Sequence, residues 1–200
     1  MTARLDLLAH AATAATRAAA FPNGDEPLEP RARDALGALR GRLRRADRAL
    51  AAPSRAARET AEALGLAATV EPALRDCDYG RWCGLALAET QAAEPEGVAA
   101  WLADPAAAPH GGESLSALIG RLGAWLSGEC GRDGRTLAVA DPSVLRAAIV
   151  VALGAPASAF WRIDIAPLTL ARLSGRDGRW NVVSLSPLAD SAGDGNAADW

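Results

Sequence analysis

This chain of 200 residues carries only two histidines, and one of them, His10, directly follows the apolar run "LDLLA". A histidine at the end of a buried strand can act as a nucleophile or a proton carrier, because both of its protonation states are accessible near neutral pH. Asp141 stands in the same relation to a second apolar run, "TLAVA". The other histidine, His110, lies in the loop-like stretch "APHGGES", close to Glu113. There is no lysine, so all 21 basic residues are arginines, each a planar donor fork suited to carboxylates and phosphates.

The elements that must position these groups follow from the pattern. Residues 4–9 read as a short strand ending at His10. Pro30 opens an amphipathic helix with Ala35, Leu36, Leu39 and Leu43 at helical spacing, and "RALAAP" (48–53) reads as a second strand. Ser54 marks the start of the helix "SRAARETAEALGL", which Gly65 ends. An irregular excursion with a short strand covers "TVEPALRDCDYGRWCGLAL", and helical residues follow around 86–103. From Ser114 onward, Leu115, Leu118, Ile119, Leu122 and Trp125 form a helical stripe. "RTLAVA" (135–140) is a strand stopping at Asp141, and "PSVLRAAIVVALG" is a helix closed by Gly154. "FWRIDIA", "LTLARLSG" and "RWNVVSLSP" read as three more strands, with a turn at "GRDG". Alternating short apolar strands and helices predict an α/β three-layer sandwich, a mostly parallel central sheet with helices on both faces. Ligands in such folds sit outside the carboxyl ends of the strands, which makes His10 and Asp141 site candidates on topology alone.

Six segments, in order, resemble the motifs of the histidine phosphatase superfamily, also called the phosphoglycerate-mutase-like family: "LLAHA", "DEPLEP", "AAPSRAARETA", "LRDCDYGRWCG", "GGES" and "AVADPSVLRAA". The resemblance runs from about residue 4 to about residue 186. It implies a phosphoglycerate-mutase-like fold in a single domain, 1–188, with residues 189–200 expected to be a disordered acidic tail. It also implies a phosphatase in which a histidine attacks phosphorus to form a phosphohistidine. Two arginines and a second histidine then clamp the phosphoryl oxygens, and an acidic residue protonates the leaving group.

Carried over position by position, the resemblance makes His10 the nucleophile and Asp76 the acid. Ala9 and Ala56 stand where the family has its two arginines, and Asp141 stands where it has its second histidine. A carboxylate there carries the phosphate's own sign. Two unit charges about 4 Å apart at an effective dielectric near 20 repel by roughly 4 kcal/mol. Arg17, with Arg55 or Arg58, is the expected substitute clamp. His110 and Glu113 are further candidate contacts, and Asp141 itself lines the substrate side. The departures predict impaired activity on a small phosphorylated molecule or anion. The alternative is a non-catalytic relative, a pseudoenzyme serving as a binding or regulatory module.

Bulk properties bound the remaining classes. Half the residues are hydrophobic, enough for a sizeable core, and the net charge of −3 with a pI near 5.4 gives no reason to bind nucleic acid or an anionic membrane. Asp6 and His10 interrupt the apolar N-terminal run, so no signal peptide is expected, and no apolar run is long enough to span a membrane. Three cysteines, Cys77, Cys83 and Cys130, lack paired spacing and point to a reducing cytoplasm. His10, His110, Asp76 and Asp141 have no metal-ligand spacing, so neither metal nor cofactor is expected. The sequence leaves the oligomeric state open.

Overall fold

In the computed structural model, which describes residues 2–190, thirteen elements follow one another. These are β1 (Ala3–Ala9), α1 (Ala14–Arg17), α2 (Pro30–Leu36), β2 (Arg48–Ala51), α3 (Arg55–Ala63), β3 (Thr69–Val70), α4 (Leu87–Ala93) and α5 (Pro95–Ala103). After them come α6 (Leu115–Cys130), β4 (Gly134–Ala140), α7 (Pro142–Leu153), β5 (Thr169–Arg176) and β6 (Arg179–Pro187). Short 3-10 turns connect several of them. The six strands form one sheet in the order β3-β2-β4-β1-β5-β6. β3, β2, β4 and β1 run parallel, and β5 and β6 add an antiparallel hairpin beside β1. The expected mostly parallel sheet with helices is therefore present. The anticipated tail lies, from 191 onward, outside the described residues.

Burial on both faces explains the apolar character of the central strands. Leu5, Leu7 and Leu8 of β1 and Leu137, Ala138 and Val139 of β4 are essentially inaccessible, as parallel strands covered by helices must be. Asp6 is the exception within β1. It is buried, yet Arg135 Nη1 donates to both of its oxygens at 3.1 and 3.2 Å. Burial pushes the Asp6 carboxyl up, against the opposing pull of Arg135. A second, smaller core gathers Phe21, Trp82, Val98 and Trp101 under α4 and α5. Tyr79 and Trp161 pack against both cores.

One expected strand is absent. "FWRIDIA" begins within a 3-10 turn over Ala157–Arg162 and continues as chain outside any strand, and the sheet is built from six other segments. β1 is already flanked by β4 and β5. Phe160 and Ile165 still bury their side chains, so the apolar signal was real while the strand assignment was not. The helical stretch around 86–103 is likewise two helices, broken where Pro95 removes a backbone donor after Glu94.

The excursion after β3 is fixed by two close backbone approaches. A Cβ on Gly80 would stand 2.2 Å from the His110 carbonyl oxygen, and one on Gly112 would stand 2.1 Å from that of Asp78. Gly80 also has a φ of +50°, so both space and conformation demand glycine there.

Candidate functional site

The site begins with strand register. Ala9 of β1 lies opposite Ala140 of β4, and the His10 amide donates to the Ala140 carbonyl at 3.0 Å. The residues that leave the two adjacent parallel strands, His10 and Asp141, are thereby brought side by side at the carboxyl edge of the sheet. His10 Nε2 is 3.5 Å from Asp141 Oδ1. The ring is oriented from its other side, where Nδ1 is 2.7 Å from the Ala11 carbonyl. A carbonyl can only accept, so Nδ1 carries the proton and Nε2 is the nitrogen aimed at Asp141.

Helix α3 holds this loop in place. The Ala11 amide donates to Thr60 Oγ1 at 3.0 Å, and that hydroxyl donates to the Ala56 carbonyl at 2.7 Å. Ser54, the N-cap of α3, accepts from the Ala57 amide and donates to Asp141 Oδ2 at 3.0 Å. Asp141 occupies the N-cap position of α7, where an aspartate usually accepts an amide of the first turn. Here its side chain makes no such cap and turns instead to Ser54 and His10.

Asp76 arrives from the excursion after β3. Its Oδ1 accepts from the Ser143 hydroxyl of α7 and from the Cys77 amide, the latter at 2.7 Å. Burial, then the neighbouring Asp141 charge, pushes the Asp76 carboxyl up to about 7. Burial does the same to Asp141, also to about 7, while burial holds the His10 imidazole below its ordinary value. All three shifts disfavour charge, so the His10–Asp141 contact is a polar contact in which neither partner is held in its charged form.

These three residues line a cavity of about 450 Å³, within the range of small-molecule sites. Much of its wall is apolar or aromatic, including Phe21, Tyr79, Trp101, Trp161 and Ile165. Ala56 lines it as well, while Ala9 is fully buried behind. Arg146 is the arginine among the lining residues. Arg146 stands one turn beyond Asp141 on α7, yet its Nη2 lies 3.9 Å from Asp164, and its guanidinium stands over Phe160 at 5.6 Å from the ring centre.

The structure brings His10, Asp76 and Asp141 together and leaves the other candidates outside. Arg17 pairs with Glu29, and Arg55 donates to Glu59 at 2.8 Å, so neither guanidinium belongs to the cavity wall. Arg58 lines a separate depression of about 440 Å³ beside Glu62 and Gly65, and its Nε donates to the Pro53 carbonyl. The expected clamp of Arg17 with Arg55 or Arg58 is thus not assembled, because local carboxylates and carbonyls take those arginines. His110 is buried against the Trp82 ring, 5.1 Å between ring centres, and accepts from the Gly112 amide. Glu113 binds Arg75 and Arg121, and Arg121 in turn donates to the Asp76 carbonyl at 3.3 Å. Glu113 is therefore a support for the segment that carries Asp76. Among the described residues, no group of three or more His, Cys, Asp or Glu side chains could hold a metal ion.

Sequence reasoning missed Ser54, Thr60 and Ser143 as parts of the site. The signal for Ser54 was its N-cap position, which placed the helix start but not a second bond to Asp141. Trp161 reaches the cavity from the 3-10 turn over Ala157–Arg162.

Comparison with known proteins agrees with this architecture. The sequence model of the histidine phosphatase superfamily (branch 1) matches residues 5–187. A bifunctional protein of Mycobacterium tuberculosis is 32% identical over 121 residues, covering 56% of this chain and 32% of its own length. The chain thus spans about a third of the curated relatives it matches. Among solved structures, the mycobacterial glucosyl-3-phosphoglycerate phosphatase has a TM-score of 0.80 at 24% identity, over 94% of this chain and 100% of that one. A putative α-ribazole-5′-phosphate phosphatase from Escherichia coli K-12 has a TM-score of 0.82 at 22% identity, over 93% and 97% of the two chains. An Entamoeba histolytica phosphoserine phosphatase has a TM-score of 0.83 at 14% identity, over 92% and 97%. At these identities the structural likenesses establish the shared fold, and the match over residues 5–187 establishes descent: the chain belongs to branch 1 of the histidine phosphatase superfamily.

Proposed function

We propose that this protein uses the cavity at His10 to bind a small molecule, and that phosphoryl transfer through a phosphohistidine is impaired in it. The observation that carries this reading is the 3.5 Å separation of Asp141 Oδ1 from His10 Nε2, the nitrogen that would have to attack phosphorus. A transferring phosphoryl group spreads negative charge over its oxygens and needs fixed donors around it. Here two carboxyls, Asp76 and Asp141, face that space, and alanines stand at 9 and 56. Losing one preorganised donor costs about 3–4 kcal/mol, or two to three decades in rate. The non-catalytic alternative, a binding or regulatory module, is the limit of this reading. Three free cysteines support a reducing compartment such as the cytoplasm.

One observation favours a residual phosphatase as the second reading. His10 Nδ1 is anchored, and Asp76, pushed up to about 7, can carry a proton to a leaving group. The mycobacterial phosphatase of the same fold has been solved with inorganic phosphate, which supports an anion as the class of ligand. Incubation with an aryl phosphate, together with a search for acid-labile phosphate on the protein, tests both readings. Turnover near background without acid-labile phosphate is expected. Rapid turnover and phosphoprotein that both vanish in His10→Ala would establish the phosphatase and overturn impairment.

A further inference from the structure

Donors and acceptors on the cavity wall are unevenly satisfied. Each acidic side chain there already accepts bonds from the protein. Asp76 accepts from Ser143 and the Cys77 amide, Asp141 accepts from Ser54, and Glu26 accepts from the Asn23 and Gly24 amides. Arg146 is in the opposite condition. Among the described residues its five-donor fork finds no hydrogen-bond partner, and its one ion-pair contact, at 3.9 Å, is to the fully exposed carboxylate of Asp164. Its Nε is closed off from solvent without a partner, which leaves the Nη end for a ligand to meet. The indole N–H of Trp161 also lacks an acceptor, and both side chains pack on Phe160. Two side chains that can only donate, on one wall of a largely aromatic cavity, call for an acceptor with an apolar body attached.

Building on the reading of this cavity as a binding site, we infer that Arg146 is its anion-binding group and that its ligand is a small monoanionic carboxylate with an aromatic or aliphatic body. The carboxylate meets the Arg146 fork on α7, and the body lies against Phe21, Trp101 and Trp161. A planar guanidinium matches a carboxylate two bonds at a time. A phosphate ester fits less well, because the lining offers its second charge no further arginine and carries the carboxyls of Asp76, Asp141 and Glu26 instead. Arg146 is a specificity residue on the wall of the chamber.

Calorimetry and thermal unfolding of the unmodified protein with 4-phenylbutyrate, phenyl phosphate and phenethylamine test the assignment. Phenylbutyrate is expected to bind at least tenfold more tightly than either of the others. Arg146→Met should weaken it at least tenfold with an unchanged circular dichroism spectrum, and Arg146→Lys should weaken it less. Phenethylamine or phenyl phosphate binding as tightly as phenylbutyrate would overturn the inference while leaving the cavity a binding site, and so would unchanged affinity in Arg146→Met. Failure of all three probes to bind would overturn the inference together with the binding reading. The comparison of the three probes needs no variant, so it decides even if Arg146→Met does not fold.

Discussion

His10 and Asp141 are neighbours because Ala9 and Ala140 are partners: the β1–β4 ladder delivers both side chains to the same point, 3.5 Å apart. The ladder thus fixes where both positions stand, and the side chains they carry decide what the site can do. His10 keeps its tautomer through Ala11, Asp141 is held by Ser54, and the cavity beside them is lined mainly by carbon.

Restoring the family residues should restore chemistry. The triple variant Ala9→Arg, Ala56→Arg and Asp141→His is expected to raise kcat/KM for an aryl phosphate at least 100-fold over the unmodified chain, since single donors carry two to three decades each and do not add fully. Steady-state assay of both proteins checks this, and equal rates would contradict the proposed impairment.

The buried carboxyls should make stability fall as pH rises. Asp76 and Asp141 sit near 7 in the folded chain against about 4 when unfolded, so the native state holds more protons between those values. Their contribution is fully present below about pH 4 and is lost as pH climbs through 7, by at most about 4 kcal/mol for either carboxyl. His10, held low by burial, acts oppositely, costing stability as pH falls below its ordinary value. Urea unfolding at pH 5 and pH 7.5 should therefore show Asp141→Asn gaining on the unmodified protein at the higher pH.

Thr60 should matter more than its size suggests. Thr60→Val keeps the shape but strands the buried Ala11 amide, at a cost of about 1–3 kcal/mol. Thr60→Ser keeps the acceptor and should recover most of that loss. Denaturation midpoints measure the stability, and the His10 ring resonances by NMR report whether its loop has shifted.

The Asp6–Arg135 pair should prove structural only. Asp6→Ala leaves a mostly buried guanidinium without its carboxylate and is expected to cost about 3–5 kcal/mol. Removing both charges, with Asp6→Leu and Arg135→Met, should return most of that stability. Ligand affinity at the His10 cavity should be the same in the double variant as in the unmodified chain.

The parts of the fold dictated by periodicity could be read directly from sequence. β1 and β4 announce themselves as apolar runs, and α3 and α6 by Ser54 and Ser114 at their caps. Strand order is a global property, so nothing local in "FWRIDIA" revealed that six other segments would make the sheet. The site was legible in part. His10, Asp76 and Asp141 could be placed by motif order, whereas the arginines were misplaced: Glu59 takes Arg55 one turn along α3, a local pairing the sequence spacing already offered, and Glu29 takes Arg17 across a loop. Arg146 was legible as one turn beyond Asp141, but its true neighbour, Asp164, lies in the very segment misread as a strand.

The division of the interior into two cores has a mechanical consequence. The cavity takes Phe21 and Trp101 from the ring cluster and His10 and Asp141 from the sheet edge, with Tyr79 and Trp161 touching both cores. A chamber cut into one continuous core would deform only by straining strands and rotamers together. This one is walled by two separately packed clusters, so the stiffness of its mouth rests on Tyr79 and Trp161, the two side chains that join them.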